Sequence, residues 1–350
     1  GMATAEAEVQ DDKEIFQERM KDALATLKSS SSGKGDYLYD LPWYVIIGPP
    51  GSGKTTALVN SGLKFPLARG QSPAAIAGVG GTRYCDWWFT EDAVLIDTAG
   101  RYTTQDSNAR SDQKSWLSFL ELLKKTRSRQ PINGVIIAIS IEDVLTLNAT
   151  ELDAHADAIR ARLAELHQHL KIDYPVYVLF TKMDLVAGFI EYFGQLGEYQ
   201  RRSVWGVTFP NAERKNENMV GLVAEEMDAL TERLTDHQPD RLQDEPYPAA
   251  RLRSFGFPAQ FATLKEPIRA FLEKIFEPTR YRSNATLRGF YFTSGTQQGT
   301  PIDRIVGSLA KSFGAESLGE GFLSGKGRSY FLTDLIGKVI IGEAAGCPPT

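Results

Sequence analysis

Residues Gly48-Pro49-Pro50-Gly51-Ser52-Gly53-Lys54-Thr55 have the spacing G-x-x-x-x-G-K-[ST], whose chemistry is the cradling of phosphate. The glycines let the backbone curl so that successive N–H groups face inward, and the start of a helix adds its own partial positive charge. Lys54 is then expected to reach the β- and γ-phosphates and the Thr55 hydroxyl to ligate Mg2+. Gly48, Gly51, Ser52, Gly53, Lys54, Thr55 and Thr56 form the candidate phosphate set. The pattern has weight because the apolar run 43–47 precedes it and a helical stretch, 54–62, follows. The bland alternative is a plain Gly-Pro turn.

A second acid-bearing tip lies downstream. Ala93-Val94-Leu95-Ile96-Asp97 is an apolar strand ending in a carboxylate, followed by Thr98-Ala99-Gly100. Asp97 is expected to orient a metal-bound water, and the Gly100 amide to contact a γ-phosphate and sense its loss. In Gly80-Gly81-Thr82-Arg83 the Thr82 hydroxyl is a candidate third Mg2+ contact, or simply a loop threonine. The position where small GTPases carry a water-positioning Gln is Arg101. The run 97–101 resembles signal-recognition-particle GTPases, in which that arginine belongs to the active site. Arg101 either stabilises charge on the transferred phosphoryl group or pairs with an acidic neighbour. Lys54, Thr82, Gly100 and Arg101 are thus the candidate catalytic residues, and slow turnover without a partner is expected.

Base selection is read from Thr181-Lys182-Met183-Asp184, which resembles the [NT]-K-x-D element of GTPases at the end of a buried strand. Asp184 would accept from the guanine N1–H and 2-amino group, which adenine cannot offer. The Lys182 stem would pack on the ring, and Ser294-Gly295, ending the next strand, would supply an amide to guanine O6. Thr181 stands where Asn is commoner, and the phosphate loop is also frequent among ATPases. The cofactor expectation is therefore GTP, or ATP, with Mg2+.

These residues need a scaffold, and the patterning supplies one. Apolar bursts at 43–47, 84–90, 93–97, 134–140 and 176–181 alternate with amphipathic stretches at 54–62, 113–125 and 150–170. That is the alternation of a mostly parallel α/β sheet covered by helices. From 185 to 286 the periodicity is mainly helical (220–234 and 261–276), broken by polar and Pro-rich stretches such as 236–248. About a hundred residues exceed an ordinary connection and predict an inserted helical subdomain. Strand character returns at 287–293, with a helix predicted over 301–313. The Gly-rich 314–327 and the apolar stretch 330–341 have no clear assignment. Val9, Phe16, Met20, Leu24 and Leu27 predict a helix over 9–28, cut off by a Ser/Gly linker. The expected organisation is 1–36 helix and linker, 37–184 P-loop core, 185–286 helical insertion, and 287–350 last strand, helix and tail.

The 350 residues suffice for two domains or one enlarged domain. With 39 basic against 44 acidic residues the net charge is −5, which disfavours a nucleic-acid partner. The two cysteines, Cys85 and Cys347, have no metal spacing and fit a reducing compartment. His167 and His169, two apart on a helix, point to different faces and make no metal pair. Trp87-Trp88-Phe89 alternate across a strand, so one face is core and the other is expected to dock the insertion or a partner. No run of about 18 apolar residues is present, so the chain is expected to be soluble. Gly1 ahead of Met2 reads as an added residue, and both ends are expected to be boundaries within a longer protein.

The combination of 41–56, Gly62-Leu63-Lys64-Phe65-Pro66-Leu67, 82–89 and Asp97-Thr98-Ala99-Gly100-Arg101-Tyr102 resembles the cytoplasmic domain of TssM (IcmF-like) proteins. Residues 288–297 and Pro301-Ile302-Asp303 continue that resemblance, which covers most of 37–340. It implies an inner-membrane component of bacterial type VI secretion systems, with this domain on the cytoplasmic face between transmembrane helices outside this chain. It implies as partners TssL, TssJ through a periplasmic part also outside this chain, and baseplate proteins. Some family members lack an intact P-loop, whereas Gly53, Lys54 and Thr55 are kept here. The two functions it leaves open are a Mg2+-dependent nucleotide switch and a scaffold with little or no turnover.

Overall fold

The run Trp-Tyr-Val-Ile-Ile becomes strand β1 (Trp43–Ile47), and all its residues are buried. Its side chains alternate between two helix-covered faces, which is why the strand is continuously apolar. Trp43, Val45 and Ile47 enter the larger hydrophobic cluster, Tyr44 and Ile46 the smaller one on the opposite face. The computed structural model describes residues 2–30, 37–63, 85–98, 109–209, 219–278, 285–295 and 328–344. The predicted helix 301–313 and the Gly-rich 314–327 lie outside the described residues.

The remaining strands are β2 (Cys85–Phe89), β3 (Val94–Thr98), β4 (Gly134–Ser140), β5 (Pro175–Thr181), β6 (Gly206–Thr208) and β7 (Thr286–Phe292). They form one seven-stranded sheet in the order β2-β3-β1-β4-β5-β7-β6. The central strands β3, β1, β4, β5 and β7 are parallel, and β2 and β6 close the two edges antiparallel. The carboxyl ends of β1, β3, β4, β5 and β7 therefore share one rim, where ligands bind in open parallel sheets.

Chain order then gives the helices α1 (Met2–Ser30), α2 (Lys54–Val59), α3 (Ala109–Thr126), α4 (Ile141–Thr146) and α5 (Ala149–Leu170). They are followed by α6 (Phe189–Phe193), α7 (Glu198–Arg201), α8 (Val223–Asp236), α9 (Gln238–Asp244), α10 (Pro248–Ala262) and α11 (Lys265–Phe276). In α5 the spacing of Leu152, Ala156, Ile159, Leu163, Leu166 and Leu170 buries one stripe. Asn148 caps its start, its Oδ1 accepting from the Glu151 N–H at 2.8 Å. α3, α5 and α11 supply the larger cluster, and α1 docks on α3 through buried Met20, Ala23 and Leu27. The N-terminal helix, longer than the predicted 9–28, is thus part of the core.

Three readings gain detail. The 185–286 segment is helical but also contributes β6, an edge strand on β7, and its helices α8, α10 and α11 share the larger cluster with the sheet. The Pro-rich stretch 236–248, read as a break, holds α9, whose Pro239 lies within the first turn where its missing N–H costs nothing. Trp87 meets Trp43 and Phe119 of α3, at 5.5 and 6.3 Å between ring centroids, and Trp88 enters the smaller cluster beside Leu95 and Leu335. Core packing thus accounts for both rings.

Candidate functional site

Beyond β1 the chain reverses around two left-handed glycines, Gly51 at φ +75° and Gly53 at φ +79°, the latter opening α2. Side chains are excluded at Gly48 for another reason. A Cβ there would lie 2.3 Å from the Ala138 carbonyl oxygen of β4, so the loop is seated directly on the sheet. A Cβ at Gly51 would meet nothing within 4 Å, which leaves that side of the loop open.

Side chains hold three of the loop's carbonyl groups. Lys54 Nζ donates to the Gly48 carbonyl at 2.8 Å, Lys182 Nζ to that of Gly51 at 2.7 Å, and Thr181 Oγ1 to that of Ser52 at 2.5 Å. Because the peptide unit is planar and trans, holding the Ser52 carbonyl one way aims the Gly53 N–H the other way. That is how a loop becomes an anion nest. Thr181 Oγ1 also contacts the Ile139 carbonyl at 3.2 Å. The threonine in place of Asn is thereby explained: its task is to tie the loop to β5, and one hydroxyl suffices.

Lys54 Nζ also lies 3.8 Å from Asp97 Oδ1, so β3 delivers its carboxylate beside the loop as the spacing predicted. The β3 tip is fixed to β1 by Thr98 Oγ1, which donates to the Ile46 carbonyl at 2.7 Å. Thr55 is exposed on the first turn of α2, and Thr56 is half-buried. The donor chemistry fits a nucleotide and its metal. Thr55 and Asp97 offer hard oxygens of the kind Mg2+ takes. Ser52, 1% exposed, has an Oγ without a hydrogen-bond partner among the described residues, a buried polar group that an anion oxygen would satisfy. Thr82, Gly100 and Arg101 lie outside the described residues.

The base-reading candidates converge on the same rim. Lys182 adopts φ +60°, a left-handed conformation rare for a side-chain-bearing residue, and starts the short 3-10 turn Met183–Leu185. Strain of this kind is tolerated where surrounding contacts over-determine it, and here the Lys182–Gly51 bond and the Met183 N–H to Thr293 carbonyl bond (3.0 Å) do so. Asp184 is 4% exposed, and Ser294 Oγ donates to its Oδ1 at 2.8 Å. Burial pushes the Asp184 carboxyl up to about 6, against the lowering effects of the Ser294 bond, its own N–H and the Lys182 charge. Gly295 runs against α2: a Cβ there would fall 2.5 Å from Thr56 Cγ2.

Two features were not read from the sequence. Lys182 carries no compositional sign of a left-handed turn. Tyr330 pairs with Ser294 through two backbone hydrogen bonds, 3.1 and 2.7 Å, from a tail whose apolar run gave no assignment.

A parallel βα core whose first strand feeds a glycine-bounded loop, a lysine and a helix, with an aspartate at the neighbouring strand tip, is the α/β fold of P-loop proteins. The chain belongs to the IcmF-related N-terminal domain family, whose profile matches residues 109–349. It is 52% identical over 331 residues to the type VI secretion system component TssM1 of Pseudomonas aeruginosa, covering 94% of this chain and 30% of that protein. The chain thus spans less than a third of that relative's length. Among solved structures it is similar to a probable GTP-binding protein, engB, at 15% identity over 41% of this chain and 71% of that one, TM-score 0.28. The signal recognition particle receptor SRb-GTP/SRX complex from Chaetomium thermophilum is 17% identical over 43% of this chain and 76% of that one, TM-score 0.26.

Proposed function

We propose that this domain binds a guanine nucleoside triphosphate with Mg2+ and acts as a slow nucleotide switch within a type VI secretion membrane complex. The observation that carries the reading is the wiring of the base element to the phosphate loop. Lys182 and Thr181 hold the Gly51 and Ser52 carbonyls, while Asp184, two residues on, is fixed by Ser294. Elements wired together this way would read a base and a phosphate chain as one ligand. Asp184 accepts from the guanine N1–H and 2-amino group. The Ser294 N–H is committed to the Tyr330 carbonyl and its hydroxyl to Asp184, so the amide for guanine O6 falls to Gly295, and the loop amides with Lys54 hold the phosphates. Thr55 and Asp97 are the Mg2+ contacts, joined by Thr82 in the full switch. Gly100 and Arg101 are the residues by which loss of the γ-phosphate would be sensed and its transfer assisted.

The place of the domain in the larger assembly follows from its likeness to TssM1, a type VI secretion system component by name. Proteins of that system, TssL and baseplate components among them, are its proposed partners, at the cytoplasmic face of the inner membrane. No described helix is long and apolar enough to cross a membrane.

A scaffold role without turnover draws on the same loop, whose three held carbonyls keep its shape through protein contacts alone. Calorimetric titration of the purified chain with GTP, ATP and their slowly hydrolysed analogues, together with phosphate release, separates the readings. The switch predicts GTP binding at least about tenfold tighter than ATP, about 1.4 kcal/mol, and measurable release that Lys54→Ala abolishes. Tight binding with no release supports the scaffold, and equal affinity for ATP removes the guanine assignment.

A further inference from the structure

Residues 328–344 close over the sheet face that carries Tyr44, Tyr177 and Tyr291. The segment enters at Tyr330, whose backbone pairs with Ser294. Phe331 N–H then donates to the Arg201 carbonyl at 2.6 Å and Asp334 N–H to the Arg202 carbonyl at 3.0 Å, at the end of α7. Thr333 abuts the chain just beyond the phosphate-loop helix, since a Cβ on Gly62 would lie 3.1 Å from its methyl group. Leu335, Ile336, Ile340 and Ile341 fill the smaller cluster with Leu58 of α2. At the far end Glu343 accepts from the Tyr177 hydroxyl and stands 2.7 Å from Arg288 Nε, both charged side chains being largely buried.

Two features of this segment are unfavourable taken alone. Phe331 sits at φ +63°, a conformation costly for a bulky side chain. Residues Leu335–Ile341 form a π-helix, a rare arrangement that concentrates at functional positions. Both persist because the contacts at the two ends hold the segment down. Ser294 is the joint between that segment and the site. Its backbone belongs to the bridge with Tyr330, and its hydroxyl holds Asp184.

We propose that residues 328–344 are a positioning strap for the base pocket: latched by Glu343 on Tyr177 and Arg288, the strap sets Ser294 against Asp184 and so tunes the base-selective part of nucleotide affinity. The proposal rests on the nucleotide reading above. Tyr177 lies four residues before Thr181 on β5, about 13 Å at ~3.3 Å per residue, so Glu343 acts through the strap and not by touching ligand. Linkage is reciprocal: a docked strap favours guanine nucleotide, and guanine nucleotide favours a docked strap.

The test uses the whole chain, with GTPγS and inorganic tripolyphosphate, each with Mg2+, titrated by calorimetry. Tripolyphosphate meets the phosphate loop only, so it separates a base-specific effect from a general one. Glu343→Ala is expected to weaken GTPγS about tenfold and tripolyphosphate less than twofold. Lys338→Ala, on the strap's 76%-exposed side chain, is expected to change neither. In the wild type, exchange of the amide hydrogens of residues 330–336 is expected to slow with GTPγS and not with tripolyphosphate. Equal losses for both ligands in Glu343→Ala, or unchanged GTPγS affinity while its strap amides exchange freely, overturn the proposal. Should that variant not fold, wild-type exchange decides alone, and strap amides indifferent to bound GTPγS overturn it. If GTPγS binds no better than tripolyphosphate and Asp184→Asn changes nothing, the base reading has failed and the strap falls with it. A preserved guanine preference with indifferent strap amides removes the strap alone.

Discussion

Replacing Asp184 by Asn should make the empty domain more stable while weakening its hold on GTP. The carboxylate is 4% exposed, with Ser294 Oγ on one oxygen. Burial raises its pKa to about 6 from the model-peptide 3.8. A displacement of about two units at ~1.36 kcal/mol each means that ionising this group costs the folded state of the order of 3 kcal/mol at neutral pH. Asn removes the charge and keeps an oxygen to accept from Ser294. The sign follows from proton counting. Between the unfolded value and about 6 the folded state binds more protons, so the wild type loses stability as pH rises through that window and recovers it as pH falls. The stability gain of Asp184→Asn should therefore be largest above pH 7 and shrink toward pH 5. Urea unfolding of both proteins between pH 5 and 8, without nucleotide, measures it. With ligand the order reverses: guanine supplies two donors to the carboxylate, and Asn should lose about tenfold in GTP affinity, or about 1.4 kcal/mol. Xanthosine triphosphate should gain, since its carbonyl can accept from the Asn amide. An Asn variant less stable than wild type at pH 7.5, or one binding GTP undiminished, would falsify the reasoning.

Other perturbations probe the neighbouring contacts. Lys54→Ala should reduce triphosphate affinity by at least about tenfold with the thermal midpoint little changed, because its contacts are polar ones to the Gly48 carbonyl and the Asp97 carboxylate and not to the apolar core; titration beside a melting curve checks both. Thr55→Ala and Asp97→Ala should narrow the difference between affinities measured with Mg2+ and with EDTA, and a wild type indifferent to EDTA would remove the metal assignment. Gly295→Ala places a methyl 2.5 Å from Thr56 Cγ2; it should cost about 1–3 kcal/mol in unfolding experiments and weaken GTP more than tripolyphosphate.

The legible parts of this chain were those dictated by local chemistry. Strands 43–47 and 134–140 could be read to the residue because each is an apolar run bounded by turn-forming neighbours, as a strand covered on both faces must be. The phosphate loop was legible because only glycine tolerates its left-handed positions. Elements defined by their partners were not. β6 is three residues long and exists through its ladder to β7; nothing in Gly206-Val207-Thr208 announces it. The tail gave no assignment because its apolar residues serve a π-helix pressed onto the sheet, where helical spacing fails. Thr181 looked like a departure from pattern until the Ser52 carbonyl supplied its purpose.

The three clamped carbonyls of the phosphate loop also bear on the thermodynamics of capture. A glycine-rich hairpin free in solution would sample many shapes, and a ligand would have to freeze them, at roughly 1–2 kcal/mol of entropy per backbone residue fixed. Here that ordering has been completed by folding, with Lys182 and Thr181 gripping the loop from β5 and its following turn. Ligand entry then asks chiefly for one exchange, Lys54 leaving the Gly48 carbonyl for phosphate oxygen. Among the described residues the phosphate loop is already shaped by these bonds, so encounter with it should proceed without waiting for that loop to fold. On the proposed nucleotide reading, selectivity would reside in how fast a wrong base departs, because the loop would hold every triphosphate alike.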